Sequence, residues 1–162
     1  MTVIEGTNHG GGLRFAIVVS RFNDFVTERL QAAALDSLVA AGVAPADITI
    51  VRVPGAFEIP LAAQHAAEVG SFDAVVCLGC IIRGETPHFE FIASAVAHGL
   101  MTAAGATGVP MTFGVLTTNS AEEALARAGE GPENKGREAA AAALQMAQVL
   151  AELRRQPAAT KT

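Results

Sequence analysis

Ala74-Val75-Val76-Cys77-Leu78-Gly79-Cys80-Ile81-Ile82, followed at once by Arg83-Gly84-Glu85-Thr86-Pro87-His88, is the stretch on which the fold turns. An apolar run of this length without alternation reads as a strand buried on both faces, as in the middle of a parallel sheet. The residues after it change character. Gly84 permits a tight backbone, Thr86 is placed to cap a helix, and Pro87 suits the first helical position. The spacing then predicts a helix over Pro87–Ala104. Working outward, the same change from strand to helix recurs on both sides. Upstream, Arg14–Ser20 and Ile48–Val53 read as strands, while Asp24–Ala41 and Glu58–Val69 read as helices that stop at Gly42 and Gly70. Downstream come a fourth strand over Pro110–Thr117, a short capped helix over Ser120–Ala128 and a long helix over Asn134–Leu153. Four such alternations predict an α/β chain: a flavodoxin-like, three-layer sandwich with a four-stranded parallel sheet and helices on both faces.

The chain has 162 residues, of which 51% are hydrophobic and 17% charged, so one domain over residues 1–162 is expected and a disordered chain is excluded. The ends are the exceptions: a flexible arm over 1–12, closing with Gly10-Gly11-Gly12, and a disordered tail over 154–162. A formal charge of −5 argues against a nucleic-acid partner. The longest apolar run, Ala74–Ile82, is far short of the ~20 residues that cross a bilayer. No basic segment leads into an apolar stretch at the N-terminus, so the expectation is a cytoplasmic protein without a membrane partner.

Cys77 and Cys80 form a C-x-x-C, but residues three apart on a strand point to opposite faces. Buried, inert thiols are therefore expected rather than a redox pair, and two ligands are too few for a structural zinc. No metal and no cofactor are expected. The last helix holds five consecutive alanines, Ala139–Ala143, with Leu144, Met146, Val149, Leu150 and Leu153 spread over more than one face. Either alanine serves there as a good helix former, or the helix packs against neighbouring subunits. The spread of apolar residues favours subunit packing.

Ligands of open parallel sheets bind beyond the carboxyl ends of the strands, which directs attention to four loops. Phe22 follows the first strand and Phe57 the second, in Pro54-Gly55-Ala56-Phe57-Glu58. Each ring is either a stacking face for a flat heterocycle or a plug of the local core. After the third strand, Glu85 and Thr86 lead into a helix N-terminus whose free N–H groups and dipole favour an anion. His88, in that first turn, is suited to shuttling protons there. Thr117-Thr118-Asn119 closes the fourth strand. Arg127, Lys135 and Arg137 form a separate basic group, either solvated or a partner for the anion. His9, His65 and His98 receive no role. No glycine-rich nucleotide motif follows a strand, so ATPase and dinucleotide readings lose their support.

These residues also resemble a known family. Ser20-Arg21-Phe22-Asn23, Pro54–Pro60, Leu78–Glu90, Phe113–Thr117, Arg127-Ala128-Gly129 and Asn134-Lys135-Gly136 are similar, in this order, to the motifs of 6,7-dimethyl-8-ribityllumazine synthases. The resemblance covers Arg14 to about Leu153. It implies condensation of 5-amino-6-(D-ribitylamino)uracil with 3,4-dihydroxy-2-butanone 4-phosphate, the penultimate step of riboflavin biosynthesis. The substrates supply both amine and ketone, so the resemblance implies a transferase working largely by proximity, without an enzyme lysine or cofactor. Residue by residue it implies that Phe22 stacks on the pyrimidine, and that Ala56, Phe57 and Glu58 line the site with Glu58 on ribityl hydroxyls. It further implies that Cys80, Ile81 and Ile82 contact the pyrimidine through their backbone, that Glu85 and Thr86 lie on the phosphate side, and that His88 carries protons. Phe113, Arg127 and Lys135 match residues that the family supplies from the adjacent subunit, Arg127 to the phosphate.

A homo-oligomer is thus expected, a pentamer or a sixty-subunit icosahedral capsid of pentamers, with riboflavin synthase as a possible enclosed partner. Gly131-Pro132-Glu133 departs from the lysine and glycine that many members carry there, which leaves the choice of assembly open. Val3-Ile4-Glu5 is expected to add a strand to a neighbour's sheet. The competing readings are a flavin- or lumazine-binding protein without turnover and a purely shell-forming protein. Neither requires His88 beside Thr86 and Arg127.

Overall fold

A computed structural model of the protein describes residues 1–157. The strands are β1 (Phe15–Ser20), β2 (Ile48–Val53), β3 (Ala74–Ile82) and β4 (Met111–Thr118). The helices are α1 (Asp24–Ala40), α2 (Ile59–Glu68), α3 (His88–Thr107), α4 (Ala121–Ala126) and α5 (Lys135–Arg155), with single 3-10 turns at Pro45–Asp47 and Ala56–Glu58. All strand pairs are parallel, in the order β2-β1-β3-β4. This is the flavodoxin-like α/β arrangement expected, with helices on both faces of the sheet.

Side-chain alternation divides the core in two. Phe15, Ile17 and Val19 of β1 and Val76, Leu78 and Cys80 of β3 face α1 and α5, with Val26, Leu30, Leu38, Ala140 and Leu144. Ala16 and Val18 of β1 and Val75, Cys77 and Ile81 of β3 face α2 and α3, with Ile59, Ala63, Val96 and Leu100. Full burial of each large aliphatic side chain contributes about 1.5–3 kcal/mol, so both layers have ample driving force. The two thiols accordingly lie in different clusters, both free and both buried.

The sequence favours subunit packing for α5, but four of its alanines turn inward. Ala139, Ala140, Ala143 and Ala147 are buried within this chain's own core. At Gly136 an added Cβ would lie 2.1 Å from the Leu30 carbonyl oxygen, so α5 and α1 meet nearly backbone to backbone. The small residues thus serve contact inside the chain, while Met146 and Leu153 remain exposed. On the other face, Gly99 of α3 lets α2 approach, since a Cβ there would meet Pro60 at 2.8 Å.

Several boundaries differ from expectation. Thr86 does not cap α3: Pro87 holds the N-cap position without a side-chain bond, and its carbonyl accepts from the N–H groups of Glu90 (3.1 Å) and Phe91 (3.4 Å). His88, not Pro87, is therefore the first helical residue, and α3 runs on to Thr107 before Gly108 ends it in the left-handed conformation. Helix α5 likewise continues to Arg155, past Leu153. Residues 158–162 of the expected tail lie outside the described residues. The arm has no regular structure and lies along α5. The Thr7 N–H and hydroxyl donate to Gln148 Oε1 (2.7 and 2.9 Å), Gln145 Nε2 donates to Asn8 Oδ1 (3.1 Å), and the Gly10 N–H donates to the Ala41 carbonyl (2.8 Å). Thr2–Glu5 share a groove with Ala151, Glu152 and Arg155 at the far end of α5.

Among the described residues, α3 alone is long and apolar enough to cross a membrane by length and composition. Val96, Leu100 and Ala103 pack it onto the sheet as an ordinary layer of the sandwich. Phe91 and Met101 of this helix stay exposed.

Candidate active site

In this strand order β1 and β3 are neighbours whose connections leave in opposite directions, and a crevice opens there at their carboxyl ends. A cavity of about 670 Å³ occupies it. Its lining draws on three strand exits and the head of α3: Phe22 and Asn23, then Gly55–Glu58, then Cys80–Ile82 and Gly84, then Thr86, His88, Phe89, Phe91 and Ile92.

Each rim is held by identifiable bonds. Beyond β1 the Arg21 N–H donates to the Val53 carbonyl (2.8 Å) and the Phe22 N–H to the Pro54 carbonyl (3.0 Å), which prolongs the ladder into the loop. Asn23 takes a left-handed conformation, φ 61°, which asparagine tolerates better than most residues. Its amide does not cap α1 but donates to the Cys80 carbonyl at 2.9 Å, joining the exits of β1 and β3. Thr27 fastens α1 beneath, its hydroxyl donating to the Ser20 carbonyl (2.7 Å). Glu58 Oε2 accepts from the Gly55 N–H (3.1 Å), which fixes the carboxylate at the cavity edge.

Phe22 is 72% exposed and Phe57 62% exposed, so neither ring plugs the chain's own core. Both faces are open to a ligand. Among the described residues, the N–H groups of Gly84, Glu85, Thr86 and His88 have no acceptor. Together with the dipole of a 20-residue helix they form an electropositive corner at the cavity mouth. Gly84 is not in a left-handed conformation, and a Cβ there meets nothing within 4 Å. Without a side chain it leaves an open approach to that corner.

Cys80 lies at the cavity floor, and burial pushes its thiol up to about 11. Burial pushes Cys77 up further still. Neither is poised as a nucleophile. Among the described residues no group of His, Cys, Asp and Glu is placed to hold a metal ion.

Nine of the residues singled out in the sequence meet in this cavity: Phe22, Ala56, Phe57, Glu58, Cys80, Ile81, Ile82, Thr86 and His88. Glu85 sits in the same loop but does not line it. Phe113, Arg127 and Lys135 lie elsewhere and together, around a second hollow of about 250 Å³ beside the edge strand β4. There the Arg127 Nη1 donates to the Glu123 carbonyl (3.0 Å), and Lys135 Nζ pairs with Glu138 (2.7 Å). The Lys135 N–H donates to the Arg127 carbonyl (2.9 Å), and Asn134, buried at the N-cap of α5, anchors the turn through the Gly129 carbonyl (2.8 Å). Sequence reasoning missed Asn23, Gly55, Phe89, Phe91 and Ile92 as lining residues. Phe91 and Ile92 follow His88 by three and four positions, the spacing that puts residues on one helix face, and this was their signal.

A cavity at the switch point of a doubly wound parallel sheet, with an aromatic rim and an anion corner, defines a small-molecule site on a flavodoxin-like fold. Residues 12–151 match the family model described as 6,7-dimethyl-8-ribityllumazine synthase. The match takes in most of the chain, and the protein belongs to that family. Membership makes it one of an enzyme family of riboflavin biosynthesis, with small-molecule substrates and an oligomeric assembly.

Proposed function

We propose that the protein condenses 5-amino-6-(D-ribitylamino)uracil with 3,4-dihydroxy-2-butanone 4-phosphate to give 6,7-dimethyl-8-ribityllumazine, phosphate and water. The observation that carries this reading is the convergence of Phe22, Ala56–Glu58, Cys80–Ile82, Thr86 and His88 on one cavity. The pyrimidine stacks on the open Phe22 ring and meets the backbone at the end of β3. Glu58, already oriented by Gly55, accepts from ribityl hydroxyls. The phosphate sits at the free N–H groups before α3, with Thr86 beside it and Glu85 on the loop's outer side.

The amine of one substrate attacks the ketone of the other, and water leaves as the Schiff base forms. Phosphate leaves by elimination, and ring closure expels a second water. His88 takes up and returns protons through these steps. Holding two reactants in register supplies much of the acceleration.

Arg127, Lys135 and Phe113 belong to this chemistry only when offered to a neighbouring copy's cavity, because within one chain they line a different hollow. A homo-oligomer, pentamer or capsid, with sites completed across subunit boundaries follows from the reading. A cytoplasmic location and the pathway's riboflavin synthase as a partner go with it.

Lumazine fluorescence tests the proposal. Tyr and Trp are absent from the sequence, so the product's emission rises from almost no protein background. Emission growing in proportion to enzyme, above a protein-free control, is expected. Emission no faster than the control, with the pyrimidine still bound, leaves a binding protein and overturns the proposal.

A further inference from the structure

We propose that Arg83 is a positioning residue, which holds the phosphate-side turn and the head of α3 against the end of β4. The inference rests on the reading of that turn given above. Arg83 is the first residue beyond β3, and its backbone N–H continues the sheet by donating to the Thr118 carbonyl at 2.8 Å. Its side chain then makes three contacts on two elements. Nε donates to Asn119 Oδ1 (2.9 Å) at the exit of β4, and Nη1 donates to Glu90 Oε1 (2.7 Å) in the first turn of α3. The guanidinium also lies over the Phe89 ring, 4.5 Å from its centroid. Phe89 lines the cavity directly after His88.

Among the described residues, no hydrogen bond holds the turn between these anchors. Gly84, Glu85 and Thr86 are exposed and, among the described residues, their N–H groups have no acceptor. No side-chain cap closes α3, whose first turn is secured by the bonds from the Glu90 and Phe91 N–H groups to the Pro87 carbonyl. Arg83 therefore supplies the cross-link that the absent cap does not. A planar guanidinium suits the task, since it can donate in two directions while stacking on a ring. The Arg83–Glu90 pair is about half exposed on both sides, and surface pairs add little to global stability. Its contribution lies in where the turn is held.

The test compares Arg83→Met and Arg83→Lys with the wild type as assembled protein, by kinetics, binding of inorganic phosphate followed by 31P NMR, and amide exchange at Glu90 and Phe91. Small misplacements of reacting groups can cost as much as 10²-fold, so Arg83→Met is expected to lose ~10-fold in kcat/KM for the phosphate-bearing substrate. KM for the pyrimidine substrate, held at Phe22 and Glu58, and the melting temperature stay unchanged. Phosphate binding weakens and the two amides exchange faster. Arg83→Lys, which keeps the charge but not the fork, recovers part of each loss. Wild-type kinetics, phosphate binding and exchange in Arg83→Met overturn the inference. So does an equal rise of KM for both substrates with a lowered melting temperature, since that marks a structural role. If the wild type itself has no turnover, the proposed function fails, while phosphate binding and amide exchange still decide the role of Arg83.

Discussion

Replacing Gly136 by alanine probes the contact that sets the outer layer. In an isolated helix the change is favourable by about 1 kcal/mol. Here the new Cβ would stand 2.1 Å from the Leu30 carbonyl oxygen and 2.7 and 2.8 Å from its carbonyl carbon and Cα, against a practical limit of 3.0 Å. Neither backbone is a flexible end that can swing aside. Helices α1 and α5 must part by about 0.9 Å, loosening Leu30, Ala34 and Ala140, all wholly buried. Overpacking of this kind costs about 1–3 kcal/mol, and a clash with backbone belongs at the upper end. With propensity subtracted, the net loss is about 2 kcal/mol, or about 4–8 °C in melting temperature for a domain of this size. Far-UV circular dichroism of the assembled protein measures it. Gly105→Ala is the control: that glycine is also helical but its Cβ would meet nothing within 4 Å, so its variant should melt no lower than wild type. A Gly136→Ala protein as stable as the wild type would refute the reasoning. It would mean that α5 can slide on α1 without penalty.

Three further outcomes are expected. His88→Ala should lower turnover by about 10²–10⁴-fold with ligand binding intact; steady-state kinetics giving less than a tenfold loss would mean that proximity carries the catalysis without a proton carrier. Mixing His88→Ala with Arg127→Ala subunits, each inactive alone, should restore up to about a quarter of wild-type activity if sites are shared across random neighbours, and none if they are not. The buried thiols should resist alkylation at pH 8 until denaturant is added, and labelling of the native protein at the rate of a free thiol would count against their burial. Because Cys80 is raised from 9.0 to about 11 in the folded state, its contribution is whole below pH 9 and is lost as pH rises toward 11. Denaturation midpoints across that range should fall accordingly.

Strands and helices were legible because their signals are local. Unbroken apolar runs marked β1 and β3, and glycines marked the stops of α1 and α2. The head of α3 was misread because Thr86 has a capping residue's chemistry but no helical N–H within reach of its hydroxyl, while Pro87 offers its carbonyl instead. The cavity residues nearest the strand exits were legible from topology alone. The link from Asn23 to Cys80 and the clamp around Arg83 were not, since each joins positions far apart in the chain by a side chain equally at home in solvent. Phe113 lies near the start of β4 rather than at its exit, and the structure puts it with Arg127 and Lys135 rather than with His88. No local pattern tells which edge of a sheet a residue will serve.

The arm that lies along α5 bears on how the chain can be rewired. Thr2–Glu5 run beside Ala151–Arg155, so the two ends of the folded body emerge together on one side of the sandwich, away from the carboxyl edge of the sheet. A short polar linker joining them would close the chain into a ring without crossing either core. New ends could then be opened in an exposed connection such as the one between α2 and β3.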